Sequence, residues 1–132
     1  VSGERPWSEG ATPVAVLAEA LAGFNADRDW EAFHTPKDLA MALSVEAAEV
    51  VELYLWRREG DGPDPARLRQ ELGDVLITLV NLARRVGVDL MAAAQDKLAL
   101  NAERYPVERA RGSALKYDAL RVLAEEGDHD PP

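Results

Sequence analysis

The sequence predicts an all-α chain folded as an antiparallel four-helix bundle. Three observations point there: capping residues followed by proline, long stretches with apolar residues at i, i+3 and i+4, and no alternating β-rich run or internal repeat. Thr12-Pro13 opens the first helix, because threonine supplies a cap and proline fits the first helical position. TPVAVLAEALAGFNADRDW continues it with Ala and Leu at helical spacing. EAFHT is a connector, and Pro36 starts a second helix, PKDLAMALSVEAAEVVELYLWRRE, which Gly60 ends. DGPDP is the clearest loop. Asp64-Pro65 then repeats the start signal for a third helix, ARLRQELGDVLITLVNLARRV, stopped by Gly87. Asp89 caps a fourth, LMAAAQDKLALNAER, closed by Pro106. The remainder, from VERARGSALKYDAL onward, reads as an extended arm with one further helical turn. Short connections make neighbouring helices antiparallel. One domain is expected over residues 11–120, between flexible ends at 1–10 and at the acidic 121–132.

Composition narrows the function classes. The 132 residues hold 15 Lys+Arg against 24 Asp+Glu, a net charge of -9, which disfavours general nucleic-acid binding and anionic membrane surfaces. No apolar run approaches the ~18 residues of a membrane span. The opening VSGERPWSEG lacks the basic-then-apolar pattern of a signal peptide, so a soluble cytoplasmic protein is expected. The chain has no cysteine, which excludes disulfides, thiolate zinc sites and cysteine nucleophiles. A metal would need oxygen ligands or the imidazoles of His34 and His129.

The carboxylates fall in unusual places. The second helix carries a stripe at Leu39, Leu43, Glu46, Val50 and Leu53, so Glu46 stands where the pattern asks for an apolar residue, with Glu49 and Glu52 following at three-residue steps. The third helix has an expected core stripe of Leu68, Leu72, Val75, Leu79, Leu82 and Val86. Beside it run Glu71, Asp74, Thr78, Asn81 and Arg85, and its middle turns are apolar almost all round, as in a helix buried on several sides. An isolated carboxylate there needs a cation or a hydrogen-bonding partner. The pairs Glu46-x-x-Glu49 and Glu71-x-x-Asp74, facing one another across a bundle, would place four carboxylates around one pocket. Hard oxygen ligands of this kind favour Mg²⁺ or Mn²⁺ over zinc. A di-iron bundle needs two Glu-x-x-His motifs, and only Glu31-Ala-Phe-His34 has that spacing, in the connector. On the fourth helix Lys97, Asn101 and Arg104 share one face beside Tyr105, a cationic stripe suited to polyphosphate or simply to solvent. Trp30 and Phe33 flank the connector next to His34, and Trp56 ends the acidic helix, so these rings either line a slot for a base or close a core.

Taken together, FNADRDWEAFHTPKDLAMALSVEAAEVVELYLW, QELGDVLITLVNLARRVGVDL, DKLALNAERYP and ARGSALKYDAL resemble the MazG-like nucleotide pyrophosphohydrolases, in particular the dCTP pyrophosphatase branch of the all-α NTP pyrophosphatase superfamily. The resemblance runs from about Leu17 to Leu120. It implies a Mg²⁺-dependent enzyme that splits a nucleoside triphosphate into monophosphate and pyrophosphate, assembled as a dimer or tetramer with sites between subunits. It assigns Glu46, Glu49, Glu71 and Asp74 to the metal, Trp30 and Trp56 to the base, and Lys97, Asn101, Arg104 and Tyr105 to the phosphates and sugar. His34 lies in the shared FH-x-P connector, and Arg111, Lys116 and Tyr117 of RGSALKY are candidate contacts to a neighbouring subunit's site. Three positions depart from the family pattern: Val45 precedes Glu46 in place of an acid, and Leu21 and Thr78 replace a His and a Tyr that lie near the base in animal dCTP pyrophosphatases. A Thr78 hydroxyl still fits a base edge, leaving dCTP, a modified dCTP, dUTP or a broader set as substrates.

The mechanism implied is metal-assisted hydrolysis with Glu46 or Glu49 taking the proton of water. A helical interaction module without catalysis is the alternative from another class. Phosphoribosyl-ATP pyrophosphohydrolase is an enzymatic rival, against which the Trp-FH-TP block and the RYP ending speak.

Overall fold

The computed structural model describes residues 12–127. Six helices follow in order: α1 (Pro13–Ala26), α2 (Pro36–Tyr54), α3 (Pro65–Val86), α4 (Leu90–Arg104), α5 (Val107–Ala110) and α6 (Tyr117–Gly127). No strand occurs among the described residues, so the all-α expectation holds. None of these helices is long and apolar enough to cross a membrane. Residues 1–11 and 128–132, including His129, lie outside the described residues.

The cap-plus-proline rule sets three helix starts. Thr12 Oγ1 accepts from the Ala15 amide at 3.1 Å, Thr35 Oγ1 from the Asp38 amide at 3.1 Å, and Asp64 Oδ1 from the Ala66 amide at 3.1 Å. Each is followed by proline, whose missing N–H leaves no orphan donor there. At the other end of α3, Gly87 adopts φ 71°, the left-handed turn that glycine enters without a Cβ penalty.

The chain forms two compact units, meeting in sequence at Leu90 and Met91. In the first, α2 and α3 pack along one another and α1 packs against α3. Leu21, Leu39, Leu53, Val80 and Ala83 are its buried apolar residues, joined by the polar Asn25, Thr78 and Asn81. The second unit holds the rest of α4 with α5 and α6, where Leu120 is buried.

Three expectations need correction. The second helix stops at Tyr54 rather than running to Gly60. Trp56 turns to φ 62°, and the following loop satisfies itself through Asp61 N–H to the Arg58 carbonyl (3.0 Å) and Arg57 Nη1 to the Gly62 carbonyl (3.1 Å). The expected core stripe of α3 is only partly interior: Leu72 and Val86 are exposed, and Thr78, Val80, Asn81 and Ala83 are the sealed residues. The reason is that α1 and α2 lean on the polar side of α3 and leave Leu72, Leu76 and Val86 uncovered in the single chain. Asp74 lies on the covered polar side and is nevertheless exposed rather than trapped among apolar side chains, because a cavity opens there. Finally, the arm is more helical than one turn, since the i, i+3, i+4 pattern of Leu120, Leu123 and Ala124 forms α6 through Gly127.

Two glycines separate conformation from space. Neither Gly23, inside α1, nor Gly87 has an atom within 4 Å of where a Cβ would sit. Gly23→Ala should therefore stabilise the protein by about 0.5–1 kcal/mol through helix propensity, whereas Gly87→Ala should cost about 1 kcal/mol for its left-handed backbone alone. Thermal melts of the two variants check this, with opposite-signed shifts expected.

Candidate active site

Helices α2 and α3 bring three acids together. One carboxylate oxygen from each of Glu46, Glu49 and Glu71 lies within 4.8 Å of the others, and all three side chains are half-buried. The three-residue step from Glu46 to Glu49 keeps both on one side of α2, while packing against α3 supplies Glu71. Charges this close raise the proton affinity of the group. Glu49 is pushed above the ordinary glutamate range, first by a shared hydrogen bond with Glu46 and then by its charge. Glu71 is also raised, by loss of water around it and then by the charge of Glu49. Asp74 stands outside this trio.

A cavity of about 590 Å³ opens beside the acids, bounded by α1, the connector, α2 and α3. Glu46 belongs to both the acidic trio and the cavity wall, and Asp74 lines the cavity as well. Aromatic rings come from α1 and the connector: Phe24, Trp30 and Phe33, with His34 among them. Trp30 meets Phe24 edge-to-face at 5.6 Å and His34 at 6.4 Å. The Arg28 guanidinium stacks 3.6 Å from the Phe24 centroid and donates to the Phe24 carbonyl at 3.0 Å. His34 Nδ1 is buried and has no hydrogen-bond partner.

The connector is held by backbone and charge. The Trp30 amide donates to the Asn25 carbonyl at 3.0 Å, and the Phe33 amide to the Trp30 carbonyl at 2.9 Å. Glu31 pairs with Arg84 near the end of α3, with Arg85 at 3.9 Å from its second oxygen. The Arg84 hydrogen bond, with the charges of both arginines, holds the Glu31 carboxyl below its ordinary range.

Of the residues singled out in the sequence, Glu46, Asp74, Trp30, His34 and Thr78 thus line one cavity, with Glu49 and Glu71 adjoining through Glu46. Trp56 does not line it and is 95% exposed. The second unit carries Lys97, Asn101, Arg104, Tyr105, Arg111 and Lys116. There the Arg104 guanidinium sits 4.6 Å from the Tyr117 ring, and Tyr105 meets the same ring edge-to-face at 6.3 Å. Lys97, Arg111 and Lys116 are exposed, while Asn101 is half-buried. Sequence reasoning did not single out Asn25 or Asp38 as cavity residues. Asn25 carried a signal, because it lies four residues after Leu21 on the helix face that turns inward.

The sequence pattern of the MazG-like family matches residues 41–120. The chain belongs to the MazG-like family. Among curated proteins it is similar to dCTP pyrophosphatase 1 of Rattus norvegicus, 47% identical over 106 residues, covering 75% of this chain and 62% of the rat protein. The Homo sapiens protein of that name is 46% identical over the same length and shares, and the Bos taurus one is 46% identical over 123 residues, 87% of this chain and 73% of its own. This MazG-like chain thus spans 62% of the length of the rat and human relatives. Among solved structures, a pyrophosphatase from Archaeoglobus fulgidus DSM 4304 superposes with a TM-score of 0.63 at 31% identity, over 69% of this chain and 90% of that one.

The acidic trio has a measurable thermodynamic sign. Raised carboxylates favour the folded state when protonated, so without divalent cations Glu49 and Glu71 should contribute stability below the ordinary glutamate range and lose it as pH rises through their raised values. Glu31, held low by Arg84, acts in a lower window and loses its contribution only as pH falls through its depressed value. Glu49→Gln should therefore raise the melting temperature at neutral pH without divalent cation, and the gain should vanish on acidification. Melting curves across pH check this, and an unchanged or lowered neutral melting temperature would contradict it.

Proposed function

We propose that this MazG-like chain is a Mg²⁺-dependent nucleoside triphosphate pyrophosphohydrolase, converting dCTP or a modified dCTP to the monophosphate and pyrophosphate. The observation that carries the reading is Glu46, which belongs at once to the three-carboxylate cluster and to an aromatic-walled cavity. That arrangement suits a ligand with a charged end and a flat, partly apolar end. The relatives named dCTP pyrophosphatase 1 support the same substrate.

The cluster fits a hard divalent cation. It consists of carboxylate oxygens alone, which match Mg²⁺, with Mn²⁺ as a substitute, better than a soft metal. Glu46, Glu49 and Glu71 would hold it, with Asp74 from the next turn of α3 as a fourth ligand. A divalent cation bound there supplies charge neutralisation for the triphosphate and Lewis-acid polarisation of its oxygens. The residues of the chain do the rest. Trp30, with His34 and Thr78 in the same wall, holds the base and orients the triphosphate toward the acids. Glu49 or Glu46, whichever carboxylate keeps an oxygen free of the cation, takes the proton of the attacking water. Water adds across the α–β anhydride, its proton passing to the carboxylate, and the bond breaks to give the monophosphate and pyrophosphate. Lys97, Asn101, Arg104 and Tyr105 are assigned to phosphate and sugar, and Trp56, Arg111 and Lys116 to substrate contacts, on the family resemblance.

Leu72, Leu76 and Val86 are exposed apolar residues of α3, which we assign to contact with a second copy in a dimer or tetramer. Light scattering on the purified chain tests this, and a monomer at micromolar concentration would contradict it. We assign the protein a cytoplasmic housekeeping role in the nucleotide pool, on the family resemblance.

Glu49→Ala and Asp74→Asn should each lower Mg²⁺-dependent pyrophosphate release from dCTP by ~100-fold or more. Turnover near the wild-type rate in either variant would overturn the assignment of that residue.

A further inference from the structure

Two buried amides line the cavity away from the acids. Asn25 of α1 and Asn81 of α3 are 2% and 5% exposed, and Asn25 Nδ2 donates to Asn81 Oδ1 at 3.0 Å. Among the described residues neither amide has another side-chain hydrogen bond. Each still offers a second polar atom. The buried side-chain atoms left without any partner belong to His34, Arg84 and Gln95, so the free atoms of the two asparagines are not sealed off and have the cavity as their outlet.

The pair has a symmetry that matters for recognition. With that bond made, Asn25 is left with a carbonyl to offer and Asn81 with an NH₂ group. Turning both amides over preserves their mutual bond, now from Asn81 Nδ2 to Asn25 Oδ1, and reverses what is presented. No other side-chain hydrogen bond is broken by the exchange. Thr78, 9% exposed and one turn before Asn81, adds a hydroxyl that donates or accepts by rotating. These three buried polar residues of the cavity, which also holds the buried His34 Nδ1, are therefore reversible, unlike a backbone amide or a carboxylate.

Cytosine presents a 4-amino donor beside an N3 acceptor, and uracil presents a 4-oxo acceptor beside an N3–H donor. A fixed hydrogen-bonding site rejects the wrong member of such a pair by factors on the order of 10⁴–10⁵, because its own buried groups lose their partners. We propose that the Asn25–Asn81 pair reads the edge of the base and, by turning over as a unit, admits 4-oxo pyrimidine triphosphates as well as 4-amino ones. The inference rests on the reading of the acidic cluster as the triphosphate end.

The test is pyrophosphate release by the full chain with Mg²⁺ from dCTP and dUTP, alongside calorimetric binding of dCMP and dUMP, which needs no catalysis. The two triphosphates should have kcat/KM values within ~10-fold, and the two monophosphates should bind with similar affinity. Asn81→Leu should weaken both bases together. Asn81→Asp presents acceptors only, so cytosine meets an unpaired acceptor at N3 and uracil one at O4, and both activities should fall together. A wild-type preference above ~100-fold for one base, or an Asn81→Leu variant with both activities unchanged, overturns the proposal and leaves the pyrophosphohydrolase reading standing. No pyrophosphate from any deoxynucleotide overturns that reading and the proposal with it.

Discussion

Three carboxylates whose oxygens lie within 4.8 Å of one another repel, and the rest of the first unit exists around that repulsion. Glu46 and Glu49 are fixed on α2 because Leu39 and Leu53 bury the same helix, and Glu71 is brought to them because α3 packs along α2. The helices cannot separate the acids without uncovering that core. Two kinds of particle relieve the strain, a proton or a cation. The crowding raises the proton affinity of Glu49 and Glu71. A cation would relieve it at neutral pH, coupling metal binding to stability by mass action.

The cavity depends on a second, longer-range tie. Glu31 in the connector reaches Arg84, 53 positions away in sequence, and so docks the segment carrying Trp30, Phe33 and His34 against the end of α3. The pair is partly exposed, and the depressed Glu31 carboxyl reflects its two arginine neighbours. Fixing the connector gives the aromatic wall a definite position relative to Glu46. The proposed division of labour, with charge at one end and the base at the other, follows from these two ties.

Much of this was legible in the residues. Thr12-Pro13, Asp64-Pro65 and Gly87 marked helix ends because caps, prolines and left-handed glycines act locally. Glu46 was legible because a carboxylate interrupting the Leu39–Leu53 stripe violates its helical period. Less legible was which face of α3 is interior. Its apolar stripe is the longer one, yet α1 and α2 cover the side bearing Thr78 and Asn81, a tertiary choice that periodicity does not encode. The end of α2 was equally hidden, since the turn at Trp56 depends on loop hydrogen bonds around Arg57 and Gly62. The Asn25–Asn81 bond joins residues 56 apart and has no local signal.

The central claim, a cation held by the acidic trio at the mouth of a base-binding cavity, is tested most directly by anomalous diffraction from crystals containing Mn²⁺ and a non-hydrolysable dCTP analogue. The account predicts an anomalous peak bounded by Glu46, Glu49 and Glu71, with the base in the cavity against Trp30. A peak elsewhere, or a base lying outside the wall formed by Phe24, Trp30 and Asn81, would contradict it.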